Sequence, residues 1–381
     1  MGILCALPVE KTAVEFMLDT VHEPVPPLDG DPNVYSYGEI QGSYVVIGVL
    51  PAGLMGKLSA SQVASEMRHS FRMLEFLLMV GIAGGAPTDT DIRLGDIAIS
   101  QPAGRYPGVV EWDRGKLGVH ERQVVAAHNL PYSKLLSIVQ QLKRWPAETQ
   151  LTIAAHMESA LGRQTAACQT FYARPDQGSD CLFQSDYIHQ GGSDCHTCDR
   201  TQVVARRERH HQLPELFYGN IGCGDSVIKN GTERDKIAKD HDLICFEMEA
   251  AGVAKHYRYL IIRGICDYAD SHKSKQWQPY AALAAAAYAK EVIRLVQRHF
   301  KPDLTHLSDL GVLAHQAIDD VNASGSFVDG SVDGGRTNVA GFTAPKPTAQ
   351  LMTGSGLPRS YRRSSNTAFV MPLIFASFTY W

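Results

Sequence analysis

Tyr259-Leu260-Ile261-Ile262-Arg263-Gly264-Ile265-Cys266-Asp267-Tyr268-Ala269-Asp270 runs from an apolar segment into two acids. A short helix's length upstream, Leu243-Ile244-Cys245-Phe246-Glu247-Met248-Glu249 does the same. Short apolar runs rich in Ile and Leu read as strands buried on both faces. Open α/β sheets keep their ligand crevices at the carboxyl ends of such strands, so Glu249 and Asp267 mark a site. Glu247 is assigned a structural role.

Working outward, strands alternate with helices. Ile3 to Leu7 is a buried strand, and Pro8 opens a helix that carries Val9, Ala13, Val14 and Met17 on one face. Tyr35 to Ile40 and Tyr44 to Leu50 form a hairpin across Gln41-Gly42-Ser43. Gly53 to Lys57 is a turn into a helix ending near Phe71. Phe76 to Val80 is a strand that stops in the turn-like Gly81-Ile82-Ala83-Gly84-Gly85, whose backbone is expected to line the site. Further strands start at Gly95 and Leu216, and helices are expected at Tyr132 to Trp145, Ile153 to Leu161, Glu233 to Asp240 and Pro279 to Phe300. The alternation predicts an α/β fold with helices on both faces of the sheet.

Composition narrows the function. The chain has 381 residues, 44% hydrophobic and 20% charged, enough for a full-sized core. Its net charge of −4 and the lack of long basic runs argue against nucleic acid or an anionic membrane as partner. A membrane helix needs roughly 18 or more apolar residues in a row, and the run Phe369 to Phe378 is far shorter. No signal peptide is read at the N-terminus. Eight cysteines, several within strand-like runs, suit a reducing compartment, and a cytoplasmic location is expected.

The pattern breaks between about Cys168 and Pro214, a polar stretch rich in His, Arg, Asp and Cys that reads as an insertion over the site. Within it Cys195-His196-Thr197-Cys198, with Cys181 and His189 upstream, offers soft ligands for a structural zinc, as Cys181, His189, Cys195 and Cys198. Arg206 and Arg207 are candidates for gripping a 5′-phosphate chain, and Lys57 or Arg263 for holding inorganic phosphate. Beyond residue 300 the sequence turns to Gly, Ser, Thr, Asp and Pro without period, which favours a linker or disordered tail over 301–381.

Five ordered segments, Leu4 to Glu10, Gly81 to Gly85, Gly95 to Ile97, Glu247 to Ala250 and Cys266 to Asp270, resemble the nucleoside phosphorylase and nucleosidase superfamily across residues 1–300. Arg263 to Trp277 further resembles its fungal branch, whose domains head ankyrin, TPR and NACHT proteins. The resemblance implies a three-layer α/β/α sandwich around a twisted mixed sheet, assembled as a homo-oligomer, with no organic cofactor. It also implies roles. Asp267 protonates the purine, Glu249 accepts hydrogen bonds from the ribose hydroxyls, Met248 packs under the ribose, and Ala83, Gly84, Cys266 and Val227 complete the substrate-binding set.

Cleavage of an N-glycosidic bond builds positive charge on the sugar and negative charge on the base, so an acid, a sugar anchor and a nucleophile are needed. In hydrolytic members a glutamate after the first strand activates water, and Glu10 matches it. In bacterial phosphorylases an arginine and a serine grip phosphate, where this chain has Met79 and Ile82. The expected function is a purine N-glycosidase acting on adenosine, inosine, AMP or ATP. A purine nucleoside phosphorylase and a nucleotide-sensing module without turnover remain the alternatives.

Overall fold

The computed structural model describes residues 1–117, 122–124, 129–192, 194–255 and 257–300. The first half begins with β1 (Gly2–Cys5), α1 (Pro8–Phe16), β2 (Thr20–His22), β3 (Ser36–Ile40) and β4 (Ser43–Val49). It continues through α2 (Lys57–Ser70), β5 (Leu77–Gly85), β6 (Ile97–Ser100), β7 (Val109–Glu111), β8 (Gly115–Leu117) and β9 (Arg122–Val124). Three helices follow, α3 (Ser133–Leu142), α4 (Pro146–Gly162) and α5 (Ala166–Tyr172). The second half holds β10 (Leu216–Cys223), α6 (Gly231–His241), β11 (Leu243–Glu247), α7 (Ala250–Ala254), β12 (Tyr259–Asp267) and α8 (Gln278–Phe300). These elements belong to one unit, Met1–His306. The tail assigned to 301–381 lies outside the described residues.

The main sheet is mixed, with the strand order β11-β10-β6-β12-β5-β1-β4-β3-β2 and β7 added beside β10. β5 lies at its centre, parallel to β1 on one side and to β12 on the other. The first strand, the proline-started helix, the hairpin and the long C-terminal helix fall where the sequence places them. The hairpin closes at Ile40↔Ser43 with Gln41 and Gly42 both at positive φ, the signature of a tight primed turn. The Gly81–Gly85 stretch departs from expectation. It is strand rather than turn, because β12 supplies ladder partners out to Gly84, and β11 crosses antiparallel at Gly84 and Gly85. β12 likewise runs on to Asp267, with a register shift after Ile265. The polar insertion begins with the helix α5 and thereafter holds, among its described residues, two 3-10 turns and the bridge Phe183↔Val203.

α8 packs against β12 and β5, and its alanine-rich run Ala281 to Ala287 is buried all round. Small side chains let the helix axis approach the sheet closely. The closest point is Gly264, where an added Cβ would lie 1.9 Å from the Ala281 carbonyl oxygen. Gly264→Ala is therefore expected to lower unfolding free energy by about 1–3 kcal/mol or more through overpacking. Gly162→Ala, with nothing within 4 Å of the new carbon, should shift it by less than about 1 kcal/mol in the favourable direction. Paired denaturation curves check both.

Candidate active site at the glycine end of β5

Glu10 enters the site because Pro8 starts α1 immediately after β1, which places the glutamate in the first helical turn. Its Oε2 accepts from the backbone N–H groups of Ala6 (2.7 Å) and Leu7 (2.8 Å), and its Oε1 accepts from Ile82 N (2.8 Å). The reach back to Leu7 is the half of a capping box that a glutamate at the third helical position supplies. The third bond ties α1 to β5. Burial pushes the Glu10 carboxyl up, against the opposing pull of Arg263 and these N–H donors.

Arg263 projects from β12 and is fully buried. It forms a short ion pair with Glu247, and its Nη2 lies 3.9 Å from Glu249. Burial works against its charge, but Glu247, Glu10 and Glu249 together hold the guanidinium firmly protonated. Its Nε and Nη1 have no hydrogen-bond partner among the described residues. Glycine at 81 makes this packing feasible. A Cβ there would lie 2.3 Å from Arg263 Nη1 and 2.5 Å from Glu10 Oε1.

Glu247 and Glu249 bracket the start of α7. Glu247 accepts from Glu249 N (3.1 Å) and Ala250 N (2.9 Å), capping the helix while pairing with Arg263. Glu249 is buried and accepts from Gly56 N at 3.2 Å, just before α2. Burial first, then Glu247 and Glu10, push its carboxyl up to about 7. Met248, between them, is half-buried.

Asp267 closes β12 opposite Gly84, where an added Cβ would lie 2.7 Å from its Oδ1. That oxygen accepts from Ala269 N (2.8 Å) and lies 3.1 Å from Lys273 Nζ. Burial opposes the Lys273 charge, yet Asp267 raises its ammonium above the usual lysine range. Cys266 contacts Asp267 Oδ2 at 3.3 Å and the Ala83 carbonyl at 3.5 Å. Burial raises its thiol first, then the charge of Asp267 and, more weakly, that of Glu10. The two glycines are three residues apart, about 10 Å along an extended strand. Ala83 is buried between them. A cavity of about 450 Å³ opens beside Asp267, lined by Cys266, Tyr268, Trp277 and the insertion residues Cys181, Cys195 and His196. Glu10 and Glu249 are not among its walls.

Two of the cations assigned to phosphate, Lys57 and Arg206, are engaged by acids. Lys57 Nζ lies 2.9 Å from Glu111, 2.9 Å from Asp113 and 3.0 Å from Asp225. Arg206 bonds the Tyr268 hydroxyl (2.7 Å) and pairs with Asp180 (3.2 Å). Arg207 is exposed, as is Val227. His189, Cys195 and Cys198 place their ligand atoms within 4.8 Å of one another, while Cys181 accepts from Arg200 Nη1 at 2.8 Å. The sequence offers Arg263 only as a possible phosphate contact, not as the central charge of the site, and does not single out Lys273. A charged residue inside an otherwise apolar strand was the available signal for the first. Nothing in the run Ser271 to Lys275 distinguishes the second.

No protein-family model matches the chain. Over 299 residues it is 40% identical to a nucleotide-binding leucine-rich repeat (NLR)-like protein of Hyaloscypha variabilis, covering 78% of this chain and 29% of that protein. The chain thus spans less than a third of the length of this curated relative. Among solved structures, futalosine hydrolase of Helicobacter pylori is similar at TM-score 0.49 and 16% identity, over 77% of this chain and 96% of that one. A 5′-methylthioadenosine/S-adenosylhomocysteine nucleosidase of Neisseria meningitidis, in complex with methylthio-immucillin-A, is similar at TM-score 0.48 and 16% identity, over 77% and 98%.

Proposed function

We propose that this chain is a hydrolytic purine N-glycosidase, its sheet sandwiched between two helical layers. The observation that carries the reading is the placing of Glu10 and Glu249 beside one buried arginine, with Asp267 farther along the same glycine stretch of β5. Water held between Glu10 and the unpartnered Arg263 Nη1 attacks the anomeric carbon. Glu249 accepts from the ribose hydroxyls and stabilises the cationic sugar. Asp267 delivers a proton to the departing purine, and Lys273, 3.1 Å away, supplies positive charge where the base becomes negative.

Local charge favours water over phosphate. Arg263 faces three carboxylates, so an incoming phosphate dianion would enter a pocket already negative and desolvated. Met79 is fully buried and offers no charge. Lys57 and Arg206 are engaged by acids, which supports a nucleoside; exposed Arg207 keeps a nucleotide with a solvent-facing phosphate chain in the set. The exposed apolar residues Leu54, Met55, Leu58 and Val227 support a homo-oligomer. Eight free thiols support a cytoplasmic setting. The match to 29% of an NLR-like protein supports the reading of this domain as one part of such a protein. No described helix is long and apolar enough to cross a membrane.

Purified protein incubated with adenosine, inosine, AMP and ATP should release free base without added phosphate, read by chromatography. Asp267→Ala and Glu10→Gln should each lower kcat by about 10²–10⁴-fold. Release only when phosphate is present would give the reaction to a phosphorylase, and no release from any of the four would leave a binding module.

The Glu249 carboxyl gives a second test. If the ribose anchor must be ionised, kcat/KM rises with pH through about 7 as Glu249 ionises. Stability should move the other way. A folded-state value raised above the unfolded one lends stability that is full below the ordinary glutamate range and is lost as pH rises through about 7. Glu249→Gln should lose this limb of the rate profile and flatten its part of the stability slope. An unchanged rate profile would remove Glu249 from the sugar site.

A further inference from the structure

The insertion between α5 and β10 is an irregular segment with little core of its own. Leu182, Phe183 and Cys198 are its buried apolar side chains from Cys181 to Thr201, and one bridge, Phe183↔Val203, ties its ends. Such a segment has too few apolar contacts to hold one conformation by burial alone. It nevertheless forms a wall of the Asp267 cavity.

Inside it, the ligand atoms of His189, Cys195 and Cys198 converge within 4.8 Å of one another. In a tetrahedral zinc site, metal–sulfur bonds near 2.3 Å and metal–nitrogen bonds near 2.0 Å separate ligand atoms by about 3.5–3.8 Å. Shifts of under about 1 Å per side chain close the difference. Cys198 N–H donates to the Cys195 carbonyl (3.2 Å), a turn that points both thiols the same way. The histidine is also prepared. Its Nε2 lies 2.9 Å from the Asp194 carbonyl oxygen, an acceptor that fixes the proton on Nε2 and leaves the Nδ1 lone pair for a ligand. Nδ1 at present accepts from Gly191 N at 3.2 Å, a bond that ligation replaces. Two thiols and an imidazole select zinc over hard cations such as magnesium or calcium.

We propose that His189, Cys195 and Cys198 bind one zinc ion, with Cys181, on the wall of the same cavity, supplying the fourth ligand. The metal crosslinks the insertion and presses its inner face onto the loop that follows Asp267. The contacts are in place: Phe183 stacks on His272 with ring centroids 4.1 Å apart, and His189 N donates to Ser271 Oγ at 2.9 Å. Zinc binding is independent of the glycosidase reading. Only its role as a wall of the substrate cavity rests on that reading, so metal content and turnover fail separately.

The test is elemental analysis of the full chain, expressed with zinc and dialysed against metal-free buffer, together with the visible spectrum after cobalt exchange. One zinc per chain and an intense thiolate-to-cobalt band are expected. Cys195→Ser and Cys198→Ser should reduce bound metal at least tenfold, and Cys168→Ser should leave it unchanged. Cys181→Ser should lower the cobalt band by about a third, one thiolate in three. Wild-type protein with far less than one metal per chain, or with Cys195 and Cys198 joined as a disulfide, overturns the site. That readout needs no variant to fold. An unchanged band in Cys181→Ser overturns the fourth ligand.

Discussion

Burying the Arg263 guanidinium is the constraint to which the rest of the site is fitted. A fully buried cation loses several kcal/mol of hydration and is retained only with close anionic partners. Glu247 provides the ion pair, and Glu10 and Glu249 add their charges from α1 and the start of α7. The acids come from two distant parts of the chain, Glu10 from α1 and Glu247 with Glu249 from the junction of β11 and α7, so one arginine ties both to β12. Gly81 is needed for the same reason, since a side chain there would clash with both Arg263 Nη1 and Glu10 Oε1. Glu247 serves twice, pairing the arginine and capping α7, which frees Glu249 to keep an acid near neutrality.

An acid poised near pH 7 has a mechanistic consequence. Burial raises both Glu10 and Glu249, and for Glu249 the charges of Glu247 and Glu10 add to it, so the site holds protons that a solvent-exposed cluster would shed. With Glu10 and Glu249 ionised, three carboxylates outnumber the one guanidinium, so a cationic sugar brings the pocket toward neutrality and a phosphate makes it more negative. That asymmetry separates the oxocarbenium-like transition state from an inorganic anion, and the Lys273–Asp267 pair at the other end of the glycine stretch handles the base.

Much of this was legible in the residues. Pro8 starting α1, the Gln41–Gly42 hairpin and the acids after Leu243–Phe246 and Tyr259–Ile262 follow from local rules, and each is in place. The glycine stretch misled because glycine signals a turn only where no neighbouring strand claims its N–H and C=O groups. Here β12 and β11 both do, a long-range pairing that no local pattern encodes. Arg263 as the hub was hidden for the same reason: its partners are 253, 16 and 14 residues away in sequence, at Glu10, Glu247 and Glu249. The convergence of His189 with the Cys-X-X-Cys pair was suggested by composition, but only coordinates bring the ligand atoms together.

The most direct test of a water nucleophile beside Arg263 is the yield of reducing sugar per base released as phosphate concentration is raised. Hydrolysis leaves a free anomeric hydroxyl, whereas phosphorolysis caps it. The account predicts one reducing end per base at every phosphate concentration. A ratio that falls as phosphate rises would show that phosphate reaches the anomeric carbon, and would contradict the charge argument on which the assignment rests.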